Sequence, residues 1–243
     1  MLSKDVERYK SSMSKLRIFW EQDKSNTALL MELLEHYRQA GDFNALITLF
    51  DEIPPTAVSD NIRLQKAETY IHLGQSEKVE SVLALIQDSA TYHHEINYLK
   101  ALVAFFAGDL DKVSLILVTD LAQSLISAKV LYMRALYLQG KLQEALHVQS
   151  VIMPEEITAE GLGLISLMNL DAGNNDVARQ QAQGVLQAEP YNVDALVVEA
   201  SMQVFEQNLT NADELLDRCI QVMPHVGRAW SLKGQVAYLG FNF

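Results

Sequence analysis

The sequence has few of the residues that interrupt helices or cross-link chains. Its 243 residues include five prolines, eleven glycines and one cysteine, Cys219. A single cysteine excludes an internal disulfide bond. The low proline and glycine content, together with abundant Leu, Ala, Gln and Glu, favours helix throughout the chain. We therefore predict an all-α protein.

Positive charge and long apolar runs are also scarce. Nineteen Lys and Arg stand against 31 Asp and Glu, which gives a formal net charge of -12. Such an acidic surface repels phosphate groups, so we expect neither a nucleic acid nor an anionic membrane surface as a partner. No run of 18 apolar residues occurs, and residues 1–10 are too charged for a signal peptide. We expect a cytoplasmic protein without membrane insertion, or a soluble piece of a longer, anchored or exported protein.

Residue patterns typical of enzymes are absent from the sequence as well. It contains neither a nucleophile elbow nor a phosphate-binding loop. His93 and His94, beside Glu95, form the only cluster with metal-ligand chemistry. Adjacent side chains on a helix diverge by about 100°, so they rarely bind one metal ion. We expect no catalytic residue, no metal site and no cofactor.

The sequence does contain an internal repeat. Glycine recurs at a nearly constant interval, and an apolar residue follows each glycine by five positions. A sixth copy has Gln207-Asn208 where the glycine would lie. The glycines are Gly41, Gly74, Gly108, Gly140 and Gly173, and the residues five positions later are Leu46, Val79, Val113, Ala145, Ala178 and, for the sixth copy, Ala212. A repeat unit as short as the spacing between these glycines cannot bury its apolar face alone and must stack on its neighbours.

Each glycine is predicted to end one helix, because glycine adopts the left-handed helix-terminal conformation without a Cβ clash. Asn208 is the residue expected to replace it in the sixth copy. The first helix of each repeat, helix A, is predicted at 27–40, 58–73, 92–107, 125–139, 157–172, 193–206 and 227–240. The second, helix B, is predicted at 43–53, 76–88, 110–122, 142–152, 175–188 and 209–222.

This organisation divides the chain into three parts. Residues 1–26 contain an amphipathic N-terminal capping helix, predicted over 3–22, and residues 27–226 contain six repeats. Residues 227–243 form a half repeat or a C-terminal solvating helix. Small residues at matched positions should let the helices approach closely; they are Ala67, Ala101, Ser166, Ala200 and Gly234 in the A helices and Ala145, Ala178 and Ala212 in the B helices.

The repeat resembles the tetratricopeptide repeat family, whose unit of about 34 residues follows the pattern W-x2-L-G-x2-Y…A-x3-F…P. Trp230 and Gly234 match its Trp and Gly, although Lys233 replaces its Leu. The other matches are Tyr37, Tyr70, Ala145, Ala178, Ala212, Phe50, Pro190 and Pro224. The resemblance covers about residues 27–243 and implies a right-handed superhelical solenoid with a concave groove lined by the A helices. It also places Cys219 where the family keeps a small buried residue.

The resemblance implies that certain A-helix positions face the groove and hold a peptide or a partner helix. The residues predicted to bind the partner are Glu68, Tyr98, Leu102, Phe105, Arg134 and Tyr137. Aromatic and Arg side chains are the usual anchors of binding surfaces, and acidic walls attract basic groups. We expect a non-enzymatic interaction scaffold, such as a chaperone or assembly factor, for a peptide or protein that is apolar with basic flanks. The alternative is a partner-sensing or autoinhibitory repeat region of a longer regulatory or enzymatic protein.

The last helix is predicted to leave an apolar edge, because a good terminal cap presents a polar outer face. This edge carries Trp230, Val236, Tyr238, Leu239, Phe241 and Phe243. We expect it to be covered either by further repeats or by a second copy of the chain in a homodimer.

Overall fold

The computed structural model describes residues 13–120 and 125–240. Within these residues every regular element is a helix and no strand is present, which confirms the predicted all-α fold class. No helix among them is long and apolar enough to cross a membrane. The chain divides into two compact units, Met1–Gly108 and Asp109–Phe243, named unit 1 and unit 2 below.

Unit 1 packs its helices around two clusters of buried apolar side chains. One cluster includes Trp20, Leu33 and Leu49, and the other includes Ala67 and Leu99. The described helices of unit 1 are α1 (13–22), α2 (Thr27–Gln39), α3 (Phe43–Glu52), α4 (Asp60–His72), α5 (Val79–Leu83) and α6 (His93–Phe106).

Unit 2 contains a buried cluster that runs along its later helices and includes Ala178, Leu196 and Leu216. Here α10 packs on α11 and α12, and α12 packs in turn on α13 and α14. The described helices are α7 (Leu110–Leu117), α8 (Ile126–Leu138), α9 (Leu142–Gln149), α10 (Ala159–Asp171), α11 (Asn175–Ala188), α12 (Val193–Phe205), α13 (Leu209–Val222) and α14 (Gly227–Leu239).

The turns between A and B helices are built in the same way in both units. All five repeat glycines have a positive φ, between 66° and 82°. Backbone N–H groups just after the glycine bond back to carbonyls of the preceding helix, as Gln75 does to Tyr70 at 2.8 Å and Asn208 does to Gln203 at 2.8 Å. These bonds satisfy the last carbonyls of the helix, which is why the turn requires a left-handed residue.

The sixth turn corrects the prediction made for Asn208. The residue with a positive φ is Gln207, at 61°, whereas Asn208 has φ -86° and precedes α13. Gln207 lies one repeat after Gly173, so it occupies the glycine position of the sixth copy. The left-handed conformation places a Cβ atom against the backbone, and glutamine therefore adopts it under strain.

The A helices begin and end within two residues of their predicted bounds, but some B helices are shorter than predicted. The second one was expected over 76–88, yet α5 spans Val79–Leu83 after a 3-10 turn at Ser76–Lys78. The Asp60 carboxylate accepts hydrogen bonds from the backbone N–H groups of Gln87 and Asp88 at 3.0–3.1 Å. These N–H groups therefore donate to a side chain of α4 instead of to the carbonyl groups of a continuing helix. Of the predicted leading helix, residues 3–12 lie outside the described residues.

The small residues at matched positions are buried as predicted, with one exception. Seven of them have no exposed surface: Ala67, Ala101, Ser166, Ala200, Ala145, Ala178 and Ala212. Gly234 is exposed, and a Cβ atom built on it would meet no atom within 4 Å. Among the described residues, nothing packs on this side of α14, so the prediction of a close approach at Gly234 is wrong for this structure.

Candidate partner-binding surface

The residues predicted to bind a partner fall in both units. Unit 1 contains Glu68 on α4 and Tyr98, Leu102 and Phe105 on α6, whereas unit 2 contains Arg134 and Tyr137 on α8. We call the surface that the A helices present within one unit the A-helix face of that unit. It is formed by α2, α4 and α6 in unit 1 and by α8, α10, α12 and α14 in unit 2.

The α6 residues are half-buried and take part in packing. Tyr98 and Leu102 contact the buried cluster that includes Ala67 and Leu99. The ring of Phe105 meets the edge of the Phe106 ring, with centroids 5.9 Å apart and planes at 79°. Phe106 itself is largely exposed. This helix therefore carries apolar and aromatic side chains that are in part packed on the core and in part exposed.

Glu68 lies in a polar cleft between α2 and α4. The cleft has a volume of about 210 Å³ and is lined by Met31, Glu35, Arg38, Gln65 and Glu68. Arg38 donates to Glu35 at 2.7 Å, which leaves Glu68 as the second carboxylate of the cleft. The lining carries one more acid than base, so it attracts a cationic group more readily than an anionic one.

Arg134 forms an ion pair that joins two helices of unit 2. Its guanidinium donates to the Asp194 carboxylate on α12 at 2.7 Å and lies 3.6 Å from Glu160 on α10. Burial disfavours the charged guanidinium, but Asp194 outweighs this effect and raises the pKa of Arg134. Asp194 lies in the first turn of α12, where the helix dipole also stabilises a carboxylate.

Tyr137 belongs to a second polar group, which we call the clasp: Tyr137 on α8, Asp171 on α10 and Arg228 on α14. The Tyr137 hydroxyl donates to Asp171 at 2.6 Å. Arg228 donates to both oxygens of Asp171, at 2.9 and 2.7 Å, and to the Tyr137 hydroxyl oxygen at 3.0 Å. Two parallel bonds between guanidinium and carboxylate are the strong form of this pair.

The clasp changes the proton affinity of two of its members. Burial, followed by the hydrogen bond to Asp171, raises the pKa of Tyr137 to about 12. Burial by itself would raise the pKa of Asp171, but the hydrogen bonds from Arg228 and Tyr137 outweigh it and lower that pKa. The clasp is therefore held with a neutral tyrosine and an ionised aspartate at neutral pH.

These contacts define the curvature of the A-helix face in unit 2. Helices packed side by side lie about 8–10 Å apart, so a flat row of α8, α10, α12 and α14 would separate its outer members by about 24–30 Å. Tyrosine and arginine side chains together cannot span that distance. The 3.0 Å contact between Tyr137 and Arg228 therefore requires a strongly curved row, with the A-helix face on the inside.

Sequence reasoning missed Asp171, Asp194 and Arg228, although the repeat contains a partial signal for them. Glu160, Asp194 and Arg228 occupy the same position in successive repeats, and Asp171 directly follows Leu170, the equivalent of Tyr137 in the next repeat. Equivalent positions of successive repeats are neighbours in space. The ion-pair partners themselves, Arg134 with Asp194 and Arg228 with Asp171, lie at non-equivalent positions. The repeat therefore indicates which helices are neighbours but not which charges pair.

Sequence reasoning also did not predict the apolar groove at the end of α12 and α14. Its volume is about 840 Å³, and it is lined by Ser201, Val204, Phe205, Gln207, Leu209, Leu232, Gln235, Tyr238 and Leu239. Phe205 is 83% exposed and Tyr238 is 68% exposed. Of the predicted apolar edge, Trp230, Tyr238 and Leu239 are exposed and Val236 is buried, while Phe241 and Phe243 lie outside the described residues.

The groups with catalytic or metal-binding potential are dispersed. In residues 13–120 and 125–240, no three His, Cys, Asp or Glu side chains are grouped in a way that could hold a metal ion. The Cys219 thiol is buried, and burial raises its pKa to about 11. A thiol with such a pKa is protonated at neutral pH and is a poor nucleophile.

Comparison with known proteins gives no family assignment. No protein-family model matches the sequence, and no curated protein is significantly similar to it. The repeat period, the turns and the curved face of unit 2 are therefore the basis for a functional proposal.

Proposed function

We propose that the chain is a tetratricopeptide-type array, a right-handed superhelical solenoid with six repeats over residues 27–226. Residues 1–26 would cap its first repeat, and residues 227–243 would form a half repeat or a solvating helix. The repeated helix, left-handed turn and helix support this proposal, since the turn has the same geometry at five glycines and at Gln207. Buried alanines at Ala145, Ala178 and Ala212 supply the close helix contacts that such repeats use.

We propose that the array is a non-enzymatic, cytoplasmic interaction scaffold that binds a peptide or a partner helix on its A-helix faces. The observation that carries this function is the curved A-helix face of unit 2, where side chains from helices two and three repeats apart converge. A concave surface with aromatic and arginine side chains is the arrangement on which binding energy concentrates.

The chemistry of the faces favours a partner that is apolar with basic flanks. Tyr98, Leu102 and Phe105 offer partly exposed apolar surface on α6, and burial of one such side chain contributes about 1.5–3 kcal/mol. Glu68 and Glu160 lie beside arginines that are already paired with other carboxylates. Glu160 is exposed and Glu68 is half-buried. Surface acids add well under about 1 kcal/mol each and mainly accelerate the encounter with a basic partner.

Affinity capture from the native cell, with the whole chain as bait, tests this function. Tyr98→Ala should weaken partner binding about tenfold, which corresponds to about 1.4 kcal/mol. The matched control is Tyr191→Ala, because Tyr191 is an exposed tyrosine in the turn before α12. Circular dichroism must show the same helical content for both variants, since Tyr98 also contacts the core. Equal affinity of both variants for the captured partner would exclude the α6 surface as the binding site.

A further inference from the structure

The clasp ties one A helix of unit 2 to another A helix three repeats away. Arg228 and Tyr137 are 91 residues apart in the chain. A second inter-helix ion pair of α14, between Lys233 and Asp213 at 2.8 Å, reaches only the preceding helix, α13. Since α14 also packs on its neighbours α12 and α13, the clasp is an additional constraint on how far the row can open.

The groups of the clasp are partly exposed, as expected for a contact that can be released. The Arg228 and Asp171 side chains retain 35% and 31% of their accessible surface. Arg228 lies at the start of α14, in its first turn, so its side chain can leave Asp171 without breaking a helix. Its guanidinium would then be hydrated, which limits the free-energy difference between the closed and open forms.

We propose that the Tyr137–Asp171–Arg228 clasp holds the A-helix face of unit 2 closed in the free protein and must be released before a partner can bind there. This inference rests on the proposed scaffold function for its biological meaning. A partner with basic side chains would compete with Arg228 for the Asp171 carboxylate, while the apolar part of the partner occupies the opened face. The clasp is thus an autoinhibitory contact, and the state of α14 reports whether the face is accessible.

The distance between α8 and α14 in the free protein tests the proposal without any partner. Spin labels are placed at position 138 on α8 and position 231 on α14, both of which are exposed, in a Cys219→Ala background. Arg228→Gln should shift the distance distribution, measured by pulsed electron resonance, to longer values and broaden it. Asp171→Asn weakens the same contact from the α10 side and should shift the distance distribution to longer values in the same way.

Lys233→Gln is the matched control, since it removes an ion pair from the same helix but one that reaches only α13. Its distance distribution should coincide with that of the parent protein. If Arg228→Gln and Asp171→Asn both fold and both leave the distribution unchanged, the clasp does not hold the face closed and the proposal is wrong. That result would leave the scaffold function standing, because partner capture tests the function separately.

Discussion

The A-helix faces of the two units hold their charges in different ways. In unit 1, Arg38 pairs with Glu35 on the same helix, three residues away, and the cleft between α2 and α4 stays open. In unit 2, Arg134 and Arg228 pair with Asp194 and Asp171, which are 60 and 57 residues away on other helices.

This difference in charge pairing gives the A-helix faces of the two units different roles. A pair within one helix orients side chains but does not join helices. A pair between helices two or more repeats apart fixes the curvature of the whole row. We infer that unit 1 offers a face that is accessible in the free protein, whereas the face of unit 2 becomes accessible after the clasp is released.

The longest B helices lie in the second half of unit 2. There α11 and α13 have fourteen residues each, whereas α7 and α9 in its first half have eight each. In unit 1, α3 has ten residues and α5 has five. Longer B helices bury more apolar surface against the A helices, and local stability follows the apolar contacts that a region makes. We therefore expect the region from α10 to α14 in unit 2 to be more stable than unit 1.

The largest expected effect is the loss of stability on truncating a buried leucine, and it tests whether the two units unfold separately. Leu196→Ala in α12 and Leu49→Ala in α3 each remove a side chain with no exposed surface, and each should lower the free energy of unfolding by about 2–5 kcal/mol. In hydrogen exchange, each substitution should accelerate exchange mainly within its own unit. The control is Leu115→Ala, at an exposed leucine of α7. Uniform acceleration across both units would show that the array unfolds as one body.

The next effect concerns the close approach of α10 and α12 in unit 2. A Cβ atom at Gly163 would overlap the side-chain amide of Asn192, which caps α12 by accepting from the Ala195 N–H at 3.1 Å. Gly163→Ala should therefore lower stability by about 1–3 kcal/mol through overpacking and loss of the cap. Gly184→Ala is the control, because the exposed Gly184 in α11 has open space around it. This control variant should gain about 0.5–1 kcal/mol of stability. Chemical denaturation of both variants measures the two opposite changes in the free energy of unfolding.

A smaller effect concerns the backbone strain of the sixth turn, where glutamine occupies the position that is glycine in the other five turns. Gln207→Gly should stabilise the protein by about 1 kcal/mol, since it removes the strain of a left-handed glutamine. The reverse change, Gly173→Gln at φ 82°, should destabilise it by a similar amount. Thermal unfolding of the two variants measures both effects. If Gln207→Gly is neutral or destabilising, the side chain of Gln207 has a role that offsets its backbone strain.

The smallest effect is the pH dependence of the clasp. The pKa of Tyr137 is raised on folding to about 12, so its contribution to stability is complete below the unfolded value of about 10 and is lost as the pH rises through 12. The pKa of Asp171 is lowered, so its contribution is present above about pH 4 and is lost as the pH falls through the lowered value.

Comparison of the parent protein with Tyr137→Phe measures this dependence. The difference in unfolding free energy should be at most about 1 kcal/mol at pH 7, because the clasp is partly exposed. It should shrink as the pH rises above 10. A difference that stays constant between pH 7 and pH 11.5 would show that the Tyr137 hydroxyl does not contribute to stability through this contact.

The A helices and their turns could be predicted from the sequence because their signals are local. The recurring glycine specifies where each repeat needs a left-handed residue, and each A helix then ends close to its predicted bound. The end of α5 could not be predicted in this way. It depends on Asp60, which captures the N–H groups of Gln87 and Asp88 from 27 and 28 residues away.

The candidate site was predictable in its residue types but not in its pairing. Arg134 and Tyr137 are predictable because the resemblance to tetratricopeptide repeats implies that their positions face a groove. Their partners, Asp194, Asp171 and Arg228, depend on how strongly the row curves, and curvature is a property of the packed helices and not of any one repeat. The prediction for the sixth turn is wrong because it assigns the left-handed conformation to Asn208, whereas Gln207 adopts it. Asparagine adopts this conformation more readily than glutamine, and Asn208 directly follows Gln207.

Binding of a partner on the A-helix faces is tested most directly by a hydrogen-exchange footprint of the captured complex. Hydrogen exchange is measured on the whole chain with and without its partner. We expect slower exchange in the partner complex for α2, α4 and α6, and for α8, α10 and α12, with faster exchange at the start of α14 as Arg228 is released. Protection confined to the B helices α3, α5, α11 and α13, with α14 unchanged, would contradict this expectation.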